Sequence, residues 1–255
     1  MKIGIITGAS SGFGAEFARQ IDKEYALDEL WLVARREDRL KELAGTLQTG
    51  TRCLALDLTQ ESSMEKIEDL VNAEGATVKL LINNAGFGYF KSFMDRPLED
   101  WLRLVDLNSK AMVSLSYRMI KYMEKGSEIY NTCSSSAFQP VPYIAVYGAS
   151  KSFALNFTRA INMELKPKGI RAIAVCPHWT KTEFFDTAVD EEKVVVYYNH
   201  FNTPERVVSA AIRNMRKGKD VSTVDFAVKW QIFLVKHLPH SLVMRVWLKQ
   251  QKKPY

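Results

Sequence analysis

Short β-branched runs alternating with longer stretches of helical periodicity constrain this chain more than any other feature. The runs lie at residues 2–7, 29–34, 51–56, 79–82, 128–133 and 170–175, and helical spacing predicts helices at 12–25, 37–48, 60–74, 98–124, 147–166 and 203–217. The first runs are apolar almost throughout rather than alternating, as parallel strands covered on both faces by helices require. The expected fold is therefore α/β: a doubly wound parallel sheet, Rossmann-like, with helices on both faces. No internal repeat or Pro/Gly/Ser-rich linker divides the 255 residues, so one domain over 1–255 is the economical reading. With 47% hydrophobic and 25% charged residues, disordered and fibrous classes are excluded. Residues 177–202 are too long for an ordinary connection and read as a substrate lid.

Cys53, Cys133 and Cys176 are odd in number and show neither metal-ligand nor paired-disulfide spacing, so they read as reduced thiols with no metal site. The chain starts directly on an apolar strand, without the layout of a secretory signal, and a cytoplasmic location is expected. The formal charge is +6, but residues 201–255 hold 11 Lys plus Arg against 3 Asp plus Glu, whereas residues 1–200 hold 24 against 26. No nucleic-acid motif accompanies that basicity, and no nucleic-acid partner is expected.

The first strand ends in Thr7-Gly8-Ala9-Ser10-Ser11-Gly12-Phe13-Gly14 and runs into a helix. Glycines at such a turn leave backbone N–H groups and a helix N-terminus open to a pyrophosphate. At the end of the second strand, where dinucleotide folds using the non-phosphorylated cofactor place an acid on the ribose, this chain has Ala34 followed by Arg35 and Arg36. Guanidinium groups match a phosphate, and the missing carboxylate removes repulsion, so NADP(H) is favoured over NAD(H).

Tyr147 and Lys151 stand one helical turn apart at the start of a predicted helix, on one face. A cation held near a phenol stabilises the phenolate, making tyrosine a usable proton donor and acceptor. Ser134, Ser135 and Ser136 close the fifth strand, at the edge of the sheet where ligands bind in this fold class. Taken with Asp57-Leu58 after strand three, Asn83-Asn84-Ala85-Gly86 after strand four and Asn108 in the long helix, the set resembles the short-chain dehydrogenase/reductase family, in its compact TGxxxGxG branch, over residues 1 to about 182.

The resemblance implies that Tyr147 is the general acid in reduction and that Lys151 lowers its pKa and holds the nicotinamide ribose. It further implies that Ser134, thirteen residues before the tyrosine, orients the carbonyl, and that Asn108 supports a water-linked proton relay. Gly8, Ser10, Ser11, Gly12, Phe13 and Gly14 would line the phosphates and Arg35 and Arg36 the 2′-phosphate. Asp57 and Leu58 would meet the adenine, Asn84, Ala85 and Gly86 the inner ribose, and Pro177, Thr180 and Thr182 the nicotinamide carboxamide. Similar proteins are commonly homodimers or homotetramers. One departure is His178, where the family usually has glycine after the sixth strand; it either changes the local backbone path or narrows the substrate pocket.

Aromatic residues crowd the segments expected to choose the substrate: Phe87, Tyr89, Phe90, Phe138, Tyr143, Trp179, Phe184, Phe185, Tyr197 and Tyr198. They imply an apolar pocket for a bulky lipophilic ketone or secondary alcohol, steroid-like or long-chain. A 3-oxoacyl thioester reductase shares every motif, and a non-catalytic nucleotide-binding regulator is the reading from another class. Residues 224–255 read as two short amphipathic helices with basic faces, broken at Pro239. They either pack over the pocket or at a subunit interface, or lie on an anionic membrane as a peripheral contact.

Overall fold

Each β-branched run becomes a strand. The computed structural model describes residues 1–189, 194–198 and 201–254. Strands β1 (Lys2–Thr7), β2 (Glu29–Ala34), β3 (Gly50–Ala55), β4 (Thr77–Asn83), β5 (Glu128–Thr132), β6 (Arg171–Val175) and β7 (Val221–Ser222) pair in parallel in the order β3-β2-β1-β4-β5-β6-β7. The helices are α1 (Gly12–Glu24), α2 (Glu37–Ala44), α3 (Glu61–Ala73), α4 (Leu98–Val105), α5 (Ala111–Ile120), α6 (Ala145–Leu165), α7 (Phe184–Ala188), α8 (Pro204–Arg216), α9 (Phe226–His237) and α10 (His240–Gln250).

The unbroken apolarity of the central strands has its cause in two cores. Ile6, Leu30, Leu32 and Ile82 pack on one face against Phe17 and Ile21 of α1 and Val208, Ile212 and Met215 of α8. Ile3, Ile5, Trp31, Val33 and Leu81 pack on the other against Met64, Ile67 and Val71 of α3 and Leu115 and Met119 of α5. Because successive strand side chains alternate between faces, each strand feeds both cores. The strand order reverses direction between β1 and β4, and in open α/β sheets ligands bind at the carboxyl ends of the strands flanking such a reversal.

Two helices need correction, and the segment expected as a lid has structure of its own. The helix expected at 98–124 is two helices joined by a wide turn over Asp106–Lys110, in which Ala111 N–H donates to the Asp106 carbonyl five residues back. The buried Asn108 side chain, tied to another segment, sits in that turn; such π-type turns favour functional positions. The helix from Glu37 stops at Ala44 rather than 48, and the Thr46 hydroxyl donates to the Leu43 carbonyl beyond it. The expected lid over 177–202 holds a helix, α7, and is stitched down where described. Phe90 N–H donates to the Ala188 carbonyl at 2.9 Å, and the Gln251 side-chain oxygen accepts from Val196 and Tyr197 N–H. Residues 190–193 and 199–200 of that span, and Tyr255 of the C-terminal segment, lie outside the described residues.

Candidate active site

The turn after β1 is shaped by close approach. Gly8 and Gly12 have φ of 64° and 53°, the left-handed region that favours glycine, and a Cβ on Gly14 would lie 2.1 Å from the Gly8 carbonyl oxygen. Thr7 holds the turn against the end of β4: its hydroxyl donates to the Ile82 carbonyl at 3.1 Å and accepts from Asn84 and Ala85 N–H at 2.9 and 3.0 Å. The Asn84 amide donates to the Thr7 and Gly8 carbonyls. At the start of α1 the Ser11 side chain makes no cap bond, which leaves first-turn N–H groups to an anion.

At the neighbouring strand end, Arg36 donates to the Ser10 and Ser11 hydroxyls at 3.0 and 3.1 Å and to the Glu183 carboxylate at 2.9 Å. Arg35 and Leu58 line the same cavity. Burial raises the Asp57 carboxyl, but hydrogen bonds from Thr59 N–H and its hydroxyl outweigh this, and the net is a carboxylate below its ordinary range.

Helix α6 brings Tyr147 and Lys151 to the ends of β5 and β6. Lys151 Nζ donates to the Thr132 carbonyl at 2.8 Å and stands 5.7 Å from the Tyr147 ring centroid. Burial pushes the Lys151 ammonium down and the Tyr147 phenol up, to about 12; a hydrogen bond with Ser134 works against the latter. Desolvation is the larger influence on the phenol, and the Lys151 ammonium is bonded to the Thr132 carbonyl. A phenol held protonated in this way is a proton donor over the whole neutral range.

Asn108 is buried; it accepts from Phe87 N–H at 3.1 Å and donates to the Phe87 carbonyl and the Ser150 hydroxyl. Its side chain is thus spent on clamping the β4 loop to α6, and Asn108 and Gly14 are the two expected site residues that do not line the cavity. Ser134 caps the turn after β5, accepting from Ser136 N–H at 3.2 Å. Ser135 pairs instead with His178 Nδ1 at 2.9 Å, and Ser135 N–H donates to the Pro177 carbonyl. Thr180 donates to the His178 carbonyl at 2.9 Å, and Thr182 lies against Gly12.

These groups open into one cavity of about 810 Å³, running from the arginines past Tyr147 to the C-terminal helices. Phe87, Tyr89, Phe90, Trp179, Phe184, Phe185 and Tyr197 line it, whereas Phe138, Tyr143 and Tyr198 do not. Phe184 packs 5.4 Å from the Tyr147 ring, and a Cβ on Gly88 would strike both rings. Leu234 of α9, Leu242 and Val246 of α10 and Leu238 between them form a further wall, one of the placements expected for residues 224–255, whereas sequence reasoning missed Thr7 and Glu183. Only an S/T next to the glycine turn signals the first; Glu183 acts across a distance that spacing cannot reveal.

A sequence profile described as short chain dehydrogenase matches residues 2–193. The chain belongs to the short-chain dehydrogenase family. This short-chain dehydrogenase is 35% identical to sulfoacetaldehyde reductase 2 of Chromohalobacter salexigens, over 71% of its own length and 73% of the relative's. It is 28% identical to very-long-chain 3-oxoacyl-CoA reductase of Anas platyrhynchos, over 98% and 80%. The solved short-chain dehydrogenase of Sphingobium yanoikuyae in complex with NADPH superposes with a TM-score of 0.78 at 28% identity, covering 94% of this chain and 96% of that one. Another solved relative, a 3-ketoacyl-(acyl-carrier-protein) reductase of Brucella melitensis, is complexed with NADH. The protein is an oxidoreductase with the nicotinamide-dinucleotide fold.

Proposed function

We propose that this dehydrogenase interconverts a bulky lipophilic ketone and its secondary alcohol with NADP(H). The observation that carries the substrate class is the cavity wall: beyond Tyr147 the lining passes from Phe90 and Phe184 to Leu234, Leu238, Leu242 and Val246, all apolar. Such a wall gains by burying hydrocarbon, about 25 cal/mol per Å², with Gln231 and Gln250 the polar side chains that α9 and α10 add to it.

The residues present fit a dinucleotide: an uncapped helix N-terminus beside left-handed glycines for the pyrophosphate, and Arg36 with Ser10 and Ser11 for a 2′-phosphate, where no carboxylate follows Val33. Gly8, Gly12, Phe13, Arg35, Asp57, Leu58, Ala85, Gly86, Pro177, Thr180 and Thr182 complete the groove. When bound, the dinucleotide supplies or accepts the hydride. Tyr147 gives its phenolic proton to the carbonyl oxygen in reduction, Ser134 donates a hydrogen bond to the same oxygen, and Lys151 steadies the phenolate once it forms. Asn108 holds the β4 loop and α6 in register.

A panel of ketones from small polar to steroid-sized, assayed with NADPH and NADH, tests this reading. Expected are a preference for the lipophilic members and, for Arg36→Ala, a rise of about 10- to 100-fold in the KM for NADPH, as loss of charge-assisted bonds implies, with little change for NADH. A preference for small polar carbonyls would overturn the substrate class, and equal use of both cofactors by the wild type would overturn the cofactor.

The exposed apolar row Leu98, Leu102 and Val105 on α4, with Phe153 and Met163 on α6, supports a homo-oligomer closed through these helices. Sedimentation velocity tests it: Leu102→Asp with Phe153→Asp is expected to give monomers.

A further inference from the structure

Helices α9 and α10 present two faces. Val228, Val235, Val243 and Trp247 turn inward and are buried, whereas Phe226, Trp230 and Phe233, 81%, 54% and 50% exposed, form an outer stripe continued by Leu234, Leu238, Leu242 and Val246. The Trp230 and Phe233 rings stack at 5.3 Å. The last four residues of the stripe are exposed and also line the cavity, so the stripe surrounds a mouth. Contiguous apolar surface of this kind on a soluble chain marks a binding site.

Charge decides what binds there. From Phe226 to the last residue the sequence holds six cations, Lys229, Lys236, Arg245, Lys249, Lys252 and Lys253, and no acidic residue. A second copy of this segment would bring net positive charge against net positive charge with no acidic residue from Phe226 onward to offset it, which like-charge repulsion opposes. Among the described residues no helix is long and apolar enough to cross a membrane. Aromatic and aliphatic side chains with interleaved lysines on short helices match the interface of an anionic bilayer, where rings sit at headgroup depth and each cation near the surface strengthens binding about fivefold.

We propose that the α9–α10 face docks on an anionic lipid bilayer, placing the cavity mouth against the acyl chains so that substrate enters from the membrane. The entry route rests on the lipophilic substrate class proposed above; the docking surface does not.

The test uses the full chain and vesicles of phosphatidylcholine with or without phosphatidylglycerol, read by flotation without substrate. Failure of the ketone panel therefore leaves this measurement untouched. Expected is association with the phosphatidylglycerol vesicles that weakens as salt rises, falls about fivefold in Lys229→Gln and falls more than tenfold in the exposed double variant Trp230→Ser, Phe233→Ser. Turnover of a water-soluble ketone by that variant is expected to equal the wild type, showing a folded enzyme. For a ketone delivered in the anionic vesicles, KM is expected to rise in the variant alone. Absence of association with either vesicle, or association unchanged in the double variant, overturns the docking surface. So does a change in the variant's sedimentation coefficient without vesicles, which would assign the face to a second copy, or salt-sensitive capture of an acidic protein with no vesicle binding.

Discussion

Tyr147 and Lys151 show how far single residues can be read from spacing and where that reading stops. Their one-turn separation on α6 and the serine thirteen residues earlier single out the groups proposed above to react. The proton's position depends on burial, which spacing does not carry. With the phenol pushed up to about 12, Tyr147 is expected to contribute no tyrosinate below about pH 11 in the cofactor-free protein. Tyrosinate absorbance of wild type and Tyr147→Phe is therefore expected to coincide through pH 10; an extra tyrosinate near pH 8 in the wild type would show that Lys151 dominates. In turnover, Tyr147→Phe is expected to slow reduction by about 10² to 10⁴ fold, the usual share of a positioned acid, while NADPH still binds, as fluorescence titration can read. Glu183 was illegible for a different reason: its partner Arg36 is 147 residues away in sequence and meets it only in the fold. The carboxylate occupies the guanidinium proposed for the 2′-phosphate, and the pair holds Glu183 below its ordinary range. Glu183→Gln is expected to tighten NADPH binding severalfold and leave NADH unchanged; equal tightening of both would mean the pair acts on the loop and not on the phosphate.

Among the elements, those whose pattern is set by the sheet were legible, because a strand covered on both faces must be apolar on both. β1 and β2 match their runs residue for residue, and α1, α3, α6 and α8 end within two residues of expectation. What escaped was set by neighbours. β7 has two residues, too few for any periodicity, and exists because Ala174 and Cys176 N–H groups on the edge of β6 find the Asp220 and Ser222 carbonyls. The break at Asp106–Lys110 follows from the clamp on Asn108, and the residues around it remain helical in pattern. The C-terminal helices were readable as amphipathic, but their inner face had two open destinations; Trp247 decides it. Its indole N–H donates to the Pro142 carbonyl at 3.0 Å, and its ring packs with Phe90, Val141 and Ile144 under the cavity. Trp247→Ala is expected to cost roughly 3 kcal/mol of stability, the low end for a large aromatic, and to raise KM for a lipophilic ketone at least tenfold while NADPH affinity holds. Unchanged KM across the ketone panel would detach α10 from the substrate site.

At the scale of the whole molecule, ionisable groups set a window of stability whose two edges have different origins. On the acid side, Glu68 is held below its ordinary range by Lys121 and Arg118, and Glu61 by Ser114 and Arg118; at Asp22, burial works upward but Thr49 and Gln48 N–H groups prevail. Depressed carboxyls contribute stability that is present above their unfolded values, 3.8 for Asp and 4.5 for Glu, and that is lost as pH falls through the lower folded values. These groups are half-buried at the surface, where water and salt still reach their partners, so each contributes modestly and salt weakens them further. The alkaline edge is buried. Burial and then the Glu128 carboxylate push Tyr25 up to about 12 and Tyr130 far above the tyrosine range; both hydroxyls donate to Glu128, which also binds Arg171. Raised phenols keep the fold intact below their unfolded value near 10 and destabilise it above, where the unfolded chain ionises first. Denaturant midpoints are expected to be flat from about pH 5 to pH 9, to decline gradually and salt-sensitively below pH 4.5, and to drop steeply and salt-insensitively above pH 10. Tyr130→Phe with Tyr25→Phe isolates the alkaline edge: removing both phenols is expected to lower the midpoint at pH 7, where the Glu128 bonds are lost, yet to flatten its fall above pH 10. A fall of equal steepness in the double variant would assign that edge to other groups.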